Sequence, residues 1–289
     1  DYIGEIVMDS YGLLATMIDA GTHETIAQFA ESLRNRSKFK KIEKIAKAES
    51  KAMLIKLETM CGFSREEAQS ILRTVVLRNL HDSNYSEILG IALPLIEPTA
   101  AIEKVSKDWR LLHYDKASKY SDEQIQYLWA KILAGELNNP GSFSTRTLAI
   151  VEQLTKETAE TFNNLASFEF SIDGEIPRII IFDDTSEIYT KRGITHETLN
   201  ELDSCGLISY RTGPIWGGVL AQYSDKAEHF VKYGERTVPI EYKKNSESKY
   251  YIILGVVNLT KSGSELFRIC EIKHEDEIFA YTIENWEKK

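Results

Sequence analysis

The stretch that decides the fold is residues 121–148, SDEQIQYLWAKILAGELNNPGSFSTRTL. Ile125, Leu128, Trp129, Ile132 and Leu133 recur at helical spacing and predict one buried stripe. Ser121 and Gln124 match a capping box, and Asp122 and Glu123 suit the positive end of the helix dipole. Glu136 continues the apolar stripe, which places a carboxylate among hydrophobic neighbours. Asn139-Pro140-Gly141 suits a tight turn with Pro at its first central position and Gly at its second. Ser142 or Ser144 then caps a second helix running through Leu148, Val151 and Leu154. The stretch reads as two capped helices held at a fixed angle, a scaffold more than a reaction centre.

Before it, the pattern is helical throughout. Residues 1–33 carry apolar positions at helical intervals, broken at Gly21-Thr22. A basic amphipathic helix is predicted over residues 34–56, with Lys40, Lys44, Lys47 and Lys51 along one face. Cys61-Gly62 ends it, and Ser64 with Glu67 starts the next helix. A polar turn at His81 to Asn84 leads into a helix interrupted by Pro94 and Pro98. The segment VSKDWRLLHYDKASKY is helical by the spacing of Val105, Trp109 and Leu112.

After Phe162 the period changes to that of strands. FEFSIDGEIPRIIIF predicts a hairpin about Asp173-Gly174. A short helix follows, ending at Gly206, with Leu199 and Leu202 inward, and then a strand from Leu207 to Tyr210. A second hairpin turns at Gly234-Glu235. Residues 250–259 read as one buried strand, Thr260 caps a final short helix, and residues 278–286 close the domain as strand or helix. The fold class is therefore mainly α with an α+β part: a helical amino-terminal half followed by a winged-helix-like carboxyl-terminal domain. The expected domains are residues 1–104, a helical region; 105–166, a helical hairpin core; and 167–289, the winged-helix-like part.

Composition bounds the function. The chain has 289 residues, 43% hydrophobic and 27% charged, as a soluble globular protein of one or two domains would. Cys61, Cys205 and Cys270 are odd in number and unpaired by spacing, which fits reduced thiols. No apolar run approaches a membrane span, and no basic-then-apolar leader follows Asp1, so a cytoplasmic location is expected. The net charge of -9 disfavours a general nucleic-acid binder. That average hides residues 34–56, where nine Lys or Arg stand against two Glu, a local charge of +7.

The six histidines lack metal-ligand spacing, so no metal site and no cofactor are expected. His113 with Asp115, or Asp183 with Asp184, would be an oxygen-rich cation site only with further ligands; a solvated turn or cap is the simpler reading. No phosphate loop, dinucleotide fingerprint or nucleophile elbow occurs, and catalytic residues are not assigned. Glu136 beside Trp129 is a better acceptor for backbone N–H groups at the next helix start, or a partner of Arg146, than a general base. The lysine stripe Lys40, Lys44, Lys47 and Lys51 is a candidate for anion or nucleic-acid contact, against a solvated or docked helix face. The helix from Thr195 to Ser204 carries Glu197, Glu201 and Asp203 and no Lys or Arg, the wrong charge for a DNA-reading helix. With Trp216 in a glycine-flanked loop, these acids are the candidate partner contacts.

The motif Asp108-Trp109, then Ser121, Asp122, Glu123, Gln126, Trp129, Ala130, Leu133, Ala134, Glu136 and PGSFSTRTL from Pro140 to Leu148, resembles a bacterial domain-of-unknown-function family numbered twenty-eight-oh-six. Gly193, Leu254-Gly255, Leu259-Thr260, Gly263, Glu265-Leu266 and Trp286 fit the same pattern. The resemblance covers about residues 105 to 289. It marks Asp108, Trp109, Trp129, Glu136, Pro140, Gly141, Ser144 and Arg146 as the family's structural motif. The W-A-x-x-L-A segment is similar to one in abortive-infection proteins, which implies a role in anti-phage defence and no known chemistry. The expectation is an interaction or regulatory protein that contacts a protein partner or itself. The alternatives are a nucleic-acid binder using residues 34–56 and a metal-dependent hydrolase built on Asp183, Asp184 or Glu136.

Overall fold

Helix formation before Pro94 runs further than the polar residues suggest. In the computed structural model, which describes Glu58 and residues 64–175, 177–211 and 220–288, helix α1 spans Arg65–Ala92 without a break. The turn expected at His81 to Asn84 is absent because those side chains have partners on the next helix. Asn84 Nδ2 donates to the Ser118 carbonyl at 2.8 Å, and the Tyr114 hydroxyl donates to Asp82 at 2.5 Å. Polarity here serves helix packing, and with no Gly or Pro the backbone has no cause to turn. Pro94 then converts the end to a 3-10 turn, Leu93–Leu95. The helices expected within residues 1–57 lie outside the described residues.

The chain divides into two compact units, Asp1–Ser142 and Phe143–Lys289. In the first, α2 (Lys107–Ala117) and α3 (Glu123–Asn138) pack with α1. The cap of α3 is Asp122, not Ser121: its carboxylate accepts from the N–H groups of Gln124 and Ile125 at 2.9 and 3.1 Å. One anionic side chain thereby serves two of the four free donors at a positive helix end. The core holds Ile88 and Leu89 of α1, Trp109 of α2 and Trp129, Ile132, Leu133 and Leu137 of α3, all buried. Each such side chain contributes about 1.5–3 kcal/mol by leaving water. Asn138, at the end of α3, is tied to the segment that follows α1, donating to the Leu95 carbonyl and accepting from the Glu97 N–H at 3.0 and 2.8 Å.

The second unit starts with α4 (Thr145–Val151) and α5 (Lys156–Ala166). The helix expected to run through Leu154 stops at Val151, and Thr155 caps a separate helix, α5, through the Thr158 N–H. Strands β1 (Glu169–Ile172) and β2 (Arg178–Ile179) pair antiparallel. Their turn places Asp173 and Gly174 at φ of 50° and 74°, the left-handed region that Asp-Gly tolerates. After α6 (Glu187–Thr190) and α7 (His196–Ser204) comes β3 (Ile208–Tyr210). Then follow β4 (Leu220–Ser224), β5 (Glu228–Tyr233), β6 (Arg236–Glu241), β7 (Lys243–Lys244), β8 (Tyr250–Gly255) and β9 (Val257–Leu259). The last elements are α8 (Lys261–Phe267) and α9 (Asp276–Lys288). The sheets run β2-β1-β5-β6, β4-β8-β7 and β3-β9.

The single strand expected over residues 250–259 is thus two strands in different sheets. Gly255 sits at φ +110°, and a Cβ there would lie 2.0 Å from the Ile181 carbonyl oxygen. Only glycine lets the chain turn against that neighbour, and the sheet changes at this point. Residues 278–286 are helical, as part of α9, so the helix capped by Thr260 is not the last. The Trp286 indole N–H donates to the Ile253 carbonyl at 2.7 Å and packs edge-on to Phe170. This unit is a mixed α+β region with three small sheets, in which α6 and α7 precede β3 and β3 pairs with the later β9. Among the described residues no helix is long and apolar enough to cross a membrane.

Candidate functional site

Three groups of sequence-selected residues find different fates. In the first unit, Glu136 is buried and its Oε1 accepts from the Gly141 N–H at 2.7 Å. Gly141 is at φ +90°, and the Ser142 N–H closes the turn onto the Asn139 carbonyl at 3.1 Å. The carboxylate therefore fixes the turn from inside, one step before the helix start expected for it. Trp109 and Trp129 are core residues on either side of His113. The fully buried His113 ring donates from Nε2 to the Trp129 carbonyl and accepts at Nδ1 from the Tyr85 hydroxyl, both at 3.1 Å. Burial holds this imidazole neutral, with its pKa lowered to about 4 although the Trp129 carbonyl favours the charged form. His113 is thus a core group, and Asp108, Pro140 and Gly141 are exposed around this scaffold.

In the second unit, Ser144 caps α4 through the Thr147 N–H at 3.3 Å, while Arg146 is exposed. The anion at this helix start is Glu265 of α8. Its Oε2 accepts from the Ser144 N–H at 2.7 Å and from the Thr147 hydroxyl at 2.6 Å. Sequence spacing cannot reveal this contact, which joins positions 121 residues apart. The one available signal was an acid inside a helix that otherwise turns small and apolar residues inward.

The third group lies on α7 and its surroundings. Thr195 caps the helix, and Leu199 and Leu202 anchor it in the core. His196, Glu197, Asn200, Glu201, Asp203 and Ser204 are exposed, so this face carries three carboxylates and no Lys or Arg. Each acid has an internal donor. Glu197 accepts from the Thr195 hydroxyl at 2.8 Å, Glu201 from the Thr158 hydroxyl, and Asp203 from the Tyr210 N–H at 2.9 Å. Glu197 is held below the usual carboxylate range by a backbone N–H at the helix start, then by Thr195.

Asp184 extends the acidic surface. Its Oδ2 accepts from the Tyr210 hydroxyl at 2.5 Å and lies 2.8 Å from His196 Nδ1. The Tyr210 bond, ahead of the His196 contact, lowers the Asp184 pKa. Asp183 instead turns inward to cap its own loop. Partial burial raises its pKa, but the N–H and hydroxyl donors of Thr185 and Ser186 outweigh that and leave it lowered. The two neighbouring aspartates thus serve separate partners. Among the described residues no group of three or more His, Cys, Asp or Glu is placed to hold a metal ion. Lys40, Lys44, Lys47, Lys51 and Trp216 lie outside the described residues.

A family model described as "Protein of unknown function (DUF2806)" matches residues 68–283. No curated protein and no solved structure matches the chain.

Proposed function

The chain belongs to the DUF2806 family, and from that premise we propose that it acts by protein–protein contact through the acidic face of α7. The supporting observation is the exposed set Glu197, Glu201 and Asp203, joined by Asp184, on the helix that a DNA-reading winged helix would place in the major groove. Phosphates would repel this face, whereas a Lys- or Arg-rich protein surface complements it. Internal hydrogen bonds hold the carboxylates in place, which lowers the ordering cost of a partner's approach. In this reading the protein is a regulatory component without chemistry of its own. A role in anti-phage defence is the remaining part of the proposal and rests only on the likeness of the WAKILA segment to abortive-infection proteins.

The test is quantitative mass spectrometry of proteins captured by the full chain and by a Glu197→Lys/Glu201→Lys variant, beside a duplex-DNA titration at two salt concentrations. A partner with a basic surface, retained by the native chain and lost by the variant, is the expected result. Duplex binding that weakens with salt and is unaffected by charge reversal on α7 would replace this reading with contact through the lysine stripe.

A further inference from the structure

The sheet β4-β8-β7 sets aromatic rings and a lysine in one row. Tyr223 of β4 is in register with Tyr251 of β8, and Tyr251 with Lys243 of β7, so the three side chains stand across one face. The opposite face is the inward one, since Ile252 and Leu254 are buried there. Tyr223 is 60% exposed, although a sheet tyrosine gains by burying its ring. Its ring centroid lies 6.1 Å from that of the half-buried Tyr251. Two neighbouring π-systems are thus open, wholly or in part, to solvent.

Charge on this sheet runs against that of the chain. Residues 220–226 and 243–255 carry Lys226, Lys243, Lys244 and Lys249 against Asp225 and Glu247, in a chain of net charge -9. Among the described residues none of these four lysines forms an ion pair, and Lys244 Nζ stands 5.5 Å from the centre of the Tyr250 ring. Asn245 Oδ1 fixes the β7-β8 turn by accepting from the N–H groups of Glu247 and Lys249 at 3.0 and 2.9 Å. The lysines are therefore carried on an ordered ribbon beside the rings.

We propose that this face binds single-stranded nucleic acid, with two successive bases stacked on Tyr223 and Tyr251 and the neighbouring lysines on the phosphates. Stacking needs only a π-face, which every base has, and ammonium groups meet phosphates as point charges. A duplex is the poorer ligand, because its bases are stacked on one another and closed to the tyrosines. Membrane docking would call for a broad apolar face, which Tyr223, Tyr251 and Lys243 do not make. The basic charge that the whole-chain average conceals is thus placed beside the aromatic groups that give it a ligand. The inference goes beyond the protein contact at α7 and does not depend on it.

Fluorescence anisotropy of a labelled oligothymidylate of about twelve nucleotides, titrated with the full chain to about 100 μM at two salt concentrations, tests it. A duplex of equal length and vesicles of phosphatidylserine with phosphatidylcholine are titrated in parallel. The expected result is saturable binding of the single strand, about tenfold weaker in Tyr223→Ala and in Tyr251→Ala and retained in Tyr223→Phe. Lys243→Gln/Lys244→Gln should reduce the slope of log affinity against log salt by about 1.4. Melting curves control for folding, and Tyr223 is exposed enough to be truncated without opening the core. No binding of the single strand at that concentration overturns the proposal. So does binding indifferent to both tyrosines, a duplex bound as tightly, or vesicles bound in place of the oligonucleotide.

Discussion

Glu265 Oε2 stands 2.7 Å from the backbone nitrogen of Ser144, so α8 supplies the anion that the start of α4 requires. The carboxylate is buried and also receives the Thr147 hydroxyl. This is the part of the PGSFSTRTL motif that fixes tertiary structure, since Ser144 and Thr147 converge on one acceptor. Glu265→Ala leaves two donors, the Ser144 N–H and the Thr147 hydroxyl, without it and is expected to cost about 2–4 kcal/mol. Glu265→Gln, which retains a carbonyl acceptor, should cost about half as much. Urea midpoints of the full chain measure both.

Glu136 makes the corresponding contact inside the first unit, from Oε1 to the Gly141 N–H. Glu136→Gln should lower stability by about 1–2 kcal/mol by weakening a charge-assisted bond to neutral strength. An unchanged denaturation midpoint would show that the turn holds itself.

His113 makes stability fall in acid. Its folded pKa is about 4 against an ordinary 6.5, so the unfolded chain takes up the proton first as pH drops. Its contribution is present above pH 6.5 and is lost progressively between pH 6.5 and about 4, where the loss reaches about 3 kcal/mol. Stability measured against pH in native chain and His113→Gln should differ in slope across that window, with the variant flatter.

Gly255→Ala is expected to be severe. The added methyl would meet the Ile181 carbonyl oxygen at 2.0 Å, and φ of +110° is closed to other residues. A loss of about 4 kcal/mol or more is expected, seen as a collapse of the thermal transition of the second unit.

Turns and caps were legible in sequence wherever a residue type has one conformational use. Asp173-Gly174, Gly234-Glu235 and Pro140-Gly141 all turn where expected, and Thr260 and Ser144 cap as expected, whereas the cap at Thr195 was not foreseen. Asp122 displaced Ser121 because a carboxylate reaches two amide donors where a hydroxyl would serve fewer. What failed was whatever a distant residue decides. Asp82 and Asn84 mimic a turn until Tyr114 and Ser118 are beside them, and Gly255 mimics a strand interior until Ile181 approaches. At the candidate site, the acids of α7 could be read from charge alone, but their donors Thr158 and Tyr210 could not. Asp184 and His196, read separately as a doublet and a solitary ring, meet only through the fold.

The reach from Ser144 to Glu265 also sets a schedule. A ribosome emits roughly 5–20 residues each second, so the amino end of α4 is made about 6–24 s before its anion exists, given the 121 positions between them. Throughout that interval the helix start has only its own serine cap, and the second unit cannot close. A nascent chain of this protein therefore exposes α4 and α5 to chaperones or to premature partners until α8 leaves the tunnel.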